Sequence, residues 1–456
     1  MLTQFKPMTA WIAGHPKSFL VMLSLVPRLI VLIFSAVHRA TPFGDSAHDG
    51  YLQIAQNFVA TSVLGFGPHH LLYRGPVYPL LLSPGVLLGH PELWNAILHL
   101  IASVATCLLV FAAAMTLTRS VVGSLAAAAL VTLDPWLIWF TKIPMTVVTA
   151  TFFVAAAVFF FVRLLARRPL LGPSICLGVA LGLGVLDHTA LIALLGGFAL
   201  AILIVRWTPF SNLSGTPFTF KNSLASIAAM GVAFIATVSP YTIRNYKNSH
   251  RFILVSDSAG LTYFLGTAHY TFSPYPWGQR QPYDGLARRL NVTVPELDVR
   301  YSTVDDRFYP QLNKQAREDF LYLLRHQPGF LAKRTSVMAL WFFVSDYSVA
   351  RAAAHGLFLA IVFAAWWRAW RIRGFMAIAP FFALVASGTA LHSLVMSLNG
   401  HAAYSIPYIV PLAMPVALAL CRRDSSFREL VPTLSQSPYA ALGAATTGTR
   451  CEQRPS

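Results

Sequence analysis

Long stretches without a charged residue constrain the fold of this chain more than any other feature of its sequence. No Asp, Glu, Lys or Arg occurs in 93–118, 143–162 or 374–421. A helix needs about 20 mostly apolar residues to cross the hydrocarbon layer of a bilayer. Charged residues make up 11% of the chain, whereas soluble domains carry about 25%. The runs therefore predict membrane-spanning helices.

Further apolar runs bring the prediction to about ten transmembrane helices. The predicted spans lie near 18–38, 93–118, 121–140, 143–162, 169–186, 188–205, 222–240, 350–370 and, as two helices, 374–421. The shorter run 76–88 contains three prolines and is interpreted as a re-entrant or surface-lying helix. The predicted fold class is an all-α polytopic membrane protein with extracytoplasmic juxtamembrane helices and one large outer loop.

Basic residues in the short loops orient the predicted spans. If the N-terminus is cytoplasmic, the inner ends and loops hold Lys6, Lys17, Arg119, Arg163, Arg167, Arg168, Arg206, Lys221, Arg368, Arg371, Arg373, Arg422 and Arg423. The short outer connections hold Arg39, Arg74 and Lys142. Because basic residues favour the cytoplasmic side, we predict an integral plasma (inner) membrane protein with both termini in the cytoplasm.

The predicted organisation is one membrane-embedded domain, 1–420, followed by a tail. Two segments lie outside the cytoplasm, a first loop at about 40–92 and a large loop at about 241–335. The tail, 424–456, is rich in Ser, Thr, Ala, Gly and Pro and is predicted to be a disordered cytoplasmic segment. The net charge of +17 is scattered between apolar runs, which indicates membrane lipids as partners and no nucleic acid.

Ionisable residues cluster directly after the first predicted span. Asp45, His48 and Asp49 stand between Gly44 and Gly50. One interpretation is that Asp45 caps a short helix and Asp49 is solvated. The other is a functional carboxylate at the outer mouth of the bundle. The sequence requires no cofactor, and it leaves a divalent metal open because this spacing is not specific for metal ligands.

Several short motifs occur in an order that resembles a known superfamily. They are Tyr51-x-x-Ile-Ala-x-Asn57, Gly65-Phe-Gly67, Tyr73-Arg-Gly-Pro-Val-Tyr-Pro-Leu-Leu-Leu82, Leu177-Gly-Val-Ala-Leu-Gly-Leu-Gly184, Ser239-Pro-Tyr-Thr-Ile-Arg-Asn245, Ala316-Arg-Glu-Asp-Phe320 and His326-Gln-Pro-Gly329. Together they resemble the GT-C fold glycosyltransferases that use polyprenyl-phosphate sugars, of the protein-mannosyltransferase and aminoarabinose-transferase type. The resemblance covers about 20–415.

The resemblance implies an inverting glycosyltransferase that uses a polyprenyl-phosphate-linked sugar, and it assigns roles to three residues. Asp45 matches an acidic residue that acts as general base, or helps to hold the acceptor or a metal. Arg74 matches a basic residue thought to meet the lipid phosphate, and Arg244 matches an Arg at the entrance of the large loop. A carboxylate can take the proton of an acceptor hydroxyl, and Arg suits a departing phosphate.

Further candidates for substrate binding follow from the same resemblance. They are Asp49, Tyr51, Tyr78, His188, His401 and Tyr404. The chain also departs from the family pattern at three places. The acidic residue that the family has early in the fourth span is absent from 145–149. Where the family has Thr-Arg-Pro and Arg-Tyr-Arg, this chain has Asp-His-Thr at 187–189 and Ala-Tyr-Ser at 403–405. His188 and His401 can replace the missing cations only when protonated.

Two other classes of function stay open at this point. Charges inside membrane helices are compatible with a transporter or flippase. However, Arg28 is the strong mid-span charge, and no matching pair of broken helices is evident in the sequence. A non-catalytic relative that binds lipid-linked sugar is the other alternative. The sequence does not identify the sugar, nor whether the acceptor is a protein, a lipid or a polysaccharide.

Overall fold

The computed structural model describes residues 11–12, 14–38, 50–65, 74–166, 169–213, 218–257, 263, 309–344, 349–395 and 405–421. Every regular element in these ranges is helical. Six helical segments there are long and apolar enough to cross a membrane: Pro16–Val37, Pro91–Thr118, Val147–Ala166, Thr189–Trp207, Phe220–Ser249 and Phe375–Leu394. The predicted all-α polytopic fold is therefore confirmed.

The helices follow one another with short connections over most of the described chain. They are α1 (Pro16–Val37), α2 (Tyr51–Thr61), α3 (Val77–Leu87), α4 (Pro91–Thr118), α5 (Val121–Thr132), α6 (Pro135–Phe140), α7 (Val147–Ala166), α8 (Leu171–Asp187), α9 (Ala193–Ile204), α10 (Phe220–Ser249), α11 (Tyr309–His326), α12 (Pro328–Val344), α13 (Val349–Arg373), α14 (Phe375–Val395) and α15 (Ile409–Leu420). They belong to one compact unit, Met1–Leu420. A second unit comprises Cys421–Ser456, and the structure describes only Cys421 of it.

The most buried of the six candidate spans is α7. In its most apolar 18-residue stretch 72% of residues are buried, against 22% in α1. It packs against α4 and α8, and its apolar surface is buried almost all round, as expected for a helix surrounded by protein. Consequently α1 lies at the periphery of the bundle, whereas α7 lies at its centre.

Two glycines bring α8 close to α10. A Cβ atom on Gly178 would lie 2.2 Å from the carbonyl oxygen of Met230, and one on Gly182 would lie 2.6 Å from Cβ of Thr237. Small residues four apart allow membrane helices to approach closely. This contact fixes the position of α10, whose C-terminal half carries Arg244.

The run 76–88 forms α3, which has 11 residues and contains Pro84. This is too short to cross the hydrocarbon layer. The helix packs on α2 and α4. The interpretation of this run as a re-entrant or surface-lying helix stays a prediction.

Arg28 is buried inside the bundle and does not reach out to a headgroup. Its Nη1 donates to the carbonyl oxygens of Ser24, at 2.9 Å, and Thr132, at 3.0 Å. The second of these carbonyls is the last of α5, which has no partner inside its own helix. Arg28 therefore joins α1 to the end of α5.

Candidate functional site

The start of α2, the end of α8 and the C-terminal half of α10 meet around Arg74. The backbone of Gly75 lies against the end of α8, so closely that a Cβ atom here would be 2.0 Å from the carbonyl oxygen of Leu186. The Arg74 guanidinium carbon lies 5.2 Å from the centre of the Tyr51 ring. The loop is thus docked between the start of α2 and the end of α8.

Two tyrosines pack beside Arg74: Tyr51 contacts its guanidinium, and Tyr78 packs against Tyr51. The rings of Tyr51 and Tyr78 meet edge to face with 5.2 Å between centres, and both side chains are buried. The Tyr78 hydroxyl donates to Oδ1 of Asn95 at 2.7 Å and lies 3.1 Å from Nε2 of His99. Because Tyr78 is fully buried, it supports the site from behind through Tyr51.

Tyr241 joins Arg74 to Arg244. Its hydroxyl donates to the carbonyl oxygen of Arg74 at 3.0 Å and accepts from Nη1 of Arg244 at 3.3 Å. The Arg244 guanidinium also donates to the carbonyl oxygen of Leu64 at 2.6 Å and to Oδ1 of Asn245 at 3.2 Å. Arg74, through its main-chain carbonyl, and Arg244, through its guanidinium, therefore belong to one hydrogen-bonded assembly.

The end of α8 contributes a buried carboxyl group and a buried imidazole. Thr149 donates to Oδ2 of Asp187 at 2.8 Å, and the Thr146 hydroxyl lies 2.9 Å from Nδ1 of His188. The threonines belong to the segment 145–149, which lacks the family's acidic residue. A carboxyl group thus contacts that segment from the neighbouring helix.

The segment 251–257 forms the edge of the site next to α10. Nδ2 of Asn245 donates to the carbonyl oxygens of Ile253 and Val255, at 3.2 and 3.0 Å. Arg251 and Asp257 form an ion pair at 2.8 Å, and Asn313 of α11 also donates to Oδ1 of Asp257. Burial raises the pKa of the Asp257 carboxyl, and the Arg251 guanidinium acts in the opposite direction.

Five of the predicted site residues lie in the described ranges, and the contacts above bring them to one end of the bundle. They are Tyr51, Arg74, Tyr78, His188 and Arg244. Four others, Asp45, Asp49, His401 and Tyr404, lie outside the described residues. The geometry therefore describes the cationic part of the candidate site.

A divalent metal would need more ligands than the described residues provide. Within those ranges no three His, Cys, Asp or Glu side chains are grouped as a metal site requires. Among the described residues of this site, Asp187 and His188 offer two neighbouring donors.

Two polar residues of this assembly were absent from the sequence prediction. Tyr241 precedes Arg244 by three residues, a spacing that places both side chains on one helix face and could have drawn attention to it. Asp187 was noted only as the first residue of the Asp-His-Thr departure at 187–189, and its contact with Thr149 joins two helices. The local sequence gives no sign of that pairing.

Structural comparison finds solved structures with a similar fold. The oligosaccharyltransferase of Archaeoglobus fulgidus, tethered to an acceptor peptide, matches 90% of this chain with a TM-score of 0.52 and 14% identity. The same organism's AglB, in complex with an inhibitory peptide and a dolichol-phosphate, matches 97% with a TM-score of 0.51 and 15% identity. The chain covers 50% and 53% of those chains, about half their length. No protein-family model and no curated protein matches its sequence.

These matches show the fold of the protein. It is a polytopic helical membrane protein with a GT-C fold, the fold that the order of its motifs predicted. The likeness extends over nearly the whole chain and, at this level of identity, concerns the fold.

Proposed function

We propose that this chain is an integral-membrane glycosyltransferase, which moves a sugar from a polyprenyl-phosphate donor to an acceptor hydroxyl outside the cytoplasm. The proposal depends on the joint position of Arg74 and Arg244: the main-chain carbonyl of Arg74 and the guanidinium of Arg244 both bond to the Tyr241 hydroxyl. Two guanidinium groups at one end of a membrane bundle suit a lipid phosphate, because each presents a planar pair of donors to its oxygens.

The structural neighbours support the same substrate class. One of them holds a dolichol-phosphate and another an acceptor peptide. For this chain we propose a lipid-phosphate donor of the same kind, with its tail between helices near α3 and its phosphate at Arg74 and Arg244. The large loop at 241–335 would cover the cavity above them.

The proposed reaction is a single displacement at the anomeric carbon of the sugar. Asp45 takes the proton of the acceptor hydroxyl, whose oxygen forms a bond to that carbon from the face opposite the phosphate. The bond between the carbon and the phosphate oxygen breaks, and the electron pair leaves with the polyprenyl phosphate. The configuration is inverted, and the guanidinium groups stabilise the charge that develops on the leaving phosphate.

The remaining predicted residues would shape the substrate site. We propose that Tyr51 and Tyr78 support Arg74, and that Asp49, His188, His401 and Tyr404 contact the sugar or the phosphate. A divalent metal near Asp45 is compatible with the proposal, which does not depend on it. The protein would lie in the plasma (inner) membrane with both termini in the cytoplasm.

The first experiment identifies the donor. Lipid-linked sugars that accumulate in cells lacking the protein are identified by mass spectrometry, and the purified protein is then assayed in proteoliposomes with that donor. Asp45→Asn should lower transfer by about 100- to 10,000-fold, the usual contribution of a general base. Glu318→Gln, an exposed site on α11, is the matched control. Full activity of Asp45→Asn would refute the assignment of the base.

The same preparation separates the rival functions. Counterflow of labelled lipid-linked sugar without a covalent product would indicate a transporter or flippase. Binding of that donor with no turnover against a broad panel of hydroxyl acceptors would indicate a non-catalytic relative. Either result would overturn the enzyme proposal.

A further inference from the structure

The two proposed phosphate cations come from distant parts of the chain. Arg74 stands at the end of the first outer loop and Arg244 on α10, and the Tyr241 hydrogen bond that joins these segments spans 167 residues of sequence. A bound phosphate can use both cations only if their separation suits its oxygens. Something must therefore hold the loop at a fixed place on α10.

The Tyr241 hydroxyl has the chemistry to do this. A phenol carries one hydrogen, and that hydrogen is donated to the carbonyl oxygen of Arg74. Its lone pairs are then available for Nη1 of Arg244. The ring lies under the same guanidinium, 5.0 Å from its central carbon. One side chain thus fixes the loop backbone and orients the second cation.

Arg244 completes the attachment from the other end of the loop. Its Nη2 donates to the carbonyl oxygen of Leu64, which lies just after α2, whereas Tyr241 holds Arg74, just before α3. Both flanks of 65–73 are therefore attached to one turn of α10. Since the anchoring groups are a neutral hydroxyl and a cation already oriented, the arrangement exists before any phosphate arrives.

From these contacts we propose that Tyr241 is a positioning residue, which makes the binding of a lipid phosphate by Arg74 and Arg244 cooperative. The inference builds on the proposed function. Tyr241 contacts neither the phosphate nor the sugar. It holds the two arginines in place beforehand, so that less conformational entropy is lost when the second arginine binds a phosphate that the first already holds. Preorganisation of this kind raises affinity without a new contact.

Tyr241→Phe tests the proposal because it removes the hydroxyl and keeps the ring beneath Arg244. Binding is measured with undecaprenyl phosphate in nanodiscs, so the readout does not require turnover. The Kd should rise roughly 2- to 12-fold, the range for one lost hydrogen bond. In transfer assays KM for the donor should rise while kcat is unchanged. Tyr246→Phe on the exposed side of α10 is the control and should leave both values unchanged.

A mutant cycle measures the coupling between the effects of Arg74 and Arg244 on binding. This coupling would not depend on Tyr241 if the tyrosine only stabilised the fold. Arg74→Ala, Arg244→Ala and the double variant are measured in the native background and again in the Tyr241→Phe background. The two arginine effects should be non-additive in the native background and additive after Tyr241→Phe. Arg244→Lys, which keeps the charge and cannot hold Tyr241 and Leu64 together, should lose the coupling as well, and it serves if Tyr241→Phe does not fold.

The outcomes separate this inference from the proposed function. If the arginine variants weaken binding but their coupling persists in Tyr241→Phe, the positioning role is wrong and the phosphate site stands. If neither arginine variant alters the binding of undecaprenyl phosphate, the phosphate site and the positioning role are both overturned.

Discussion

Gly75 occupies a place where the first outer loop and the end of α8 leave no room for a side chain. A Cβ atom there would lie 2.0 Å from the carbonyl oxygen of Leu186, a backbone atom that cannot rotate away. Gly75→Ala should therefore destabilise the protein by about 1–3 kcal/mol, as overpacking does. Thermal unfolding in detergent measures this.

A glycine with free space around it provides the matched control for Gly75. Gly196 lies within α9 and a Cβ atom there would meet nothing within 4 Å. Alanine is the better helix former, by about 1 kcal/mol, so Gly196→Ala should be neutral or slightly stabilising. Equal melting temperatures for Gly75→Ala and the native protein would contradict the close packing of the loop on α8.

Asp257 should make stability depend on pH in a predictable direction. Burial raises the pKa of its carboxyl above the usual 3.8. A carboxyl whose pKa is higher in the folded state contributes stability that is complete below pH 3.8 and is lost as the pH rises through the folded value. Asp257→Asn removes the titrating group and should abolish this loss. As the pH rises from 3.8 through the folded-state pKa, the unfolding free energy of the native protein should therefore fall relative to that of the variant.

Unfolding measured between about pH 3 and pH 8 resolves the Asp257 contribution. Glu318→Gln is the control, because Glu318 is exposed and its ion-pair partner Lys314 stands 4.0 Å away. A pH-independent difference between native protein and Asp257→Asn would show that the carboxyl has an ordinary pKa in the folded state.

Helix boundaries can be predicted where the chain carries its own stop signals. The run 121–140 was predicted as one span, and the structure divides it into α5 and α6. Asp134 accepts hydrogen bonds from the backbone of Trp136 and Leu137, and Pro135 begins the new helix. A capping carboxylate followed by Pro is a recognisable helix start. The break was thus present in the sequence and was missed because the apolar run hid it.

Burial of charged residues was harder to foresee at the scale of single elements. Arg334 follows the exposed Lys333 in the sequence, and it is fully buried in α12. Its Nη1 donates to the carbonyl oxygen of Leu394 at 3.3 Å. Which face of a helix meets protein depends on the packing of distant helices, so the local pattern could not distinguish the two residues.

The short helix α3 determines the topology of everything that follows it. If α3 does not cross the bilayer, positions on either side of it face the same compartment. Ser62→Cys and His90→Cys, both at exposed positions, should react with a membrane-impermeant maleimide added from outside. The native cysteines are first replaced. Labelling of one from outside and the other only after permeabilisation would make α3 a span and reverse the predicted orientation.

At the scale of the whole molecule, the sequence predicted the class of fold but only part of the site. Charge-free runs report directly on membrane spans, and the order of short motifs indicated the GT-C fold that structural comparison shows. The junction of Arg74, Tyr241 and Arg244 depends on contacts between distant segments, and such pairings leave no local periodicity to read.

The account depends on a shared site for lipid phosphate and carboxylate, and one structure tests it most directly. The structure of the protein in nanodiscs is determined with a polyprenyl-phosphonate sugar bound, a donor analogue whose sugar cannot be transferred. We expect the phosphonate oxygens about 2.7–2.9 Å from guanidinium nitrogens of Arg74 and Arg244, with the Asp45 carboxylate facing the anomeric carbon. A phosphonate bound elsewhere, or Asp45 turned away from the sugar, would contradict it.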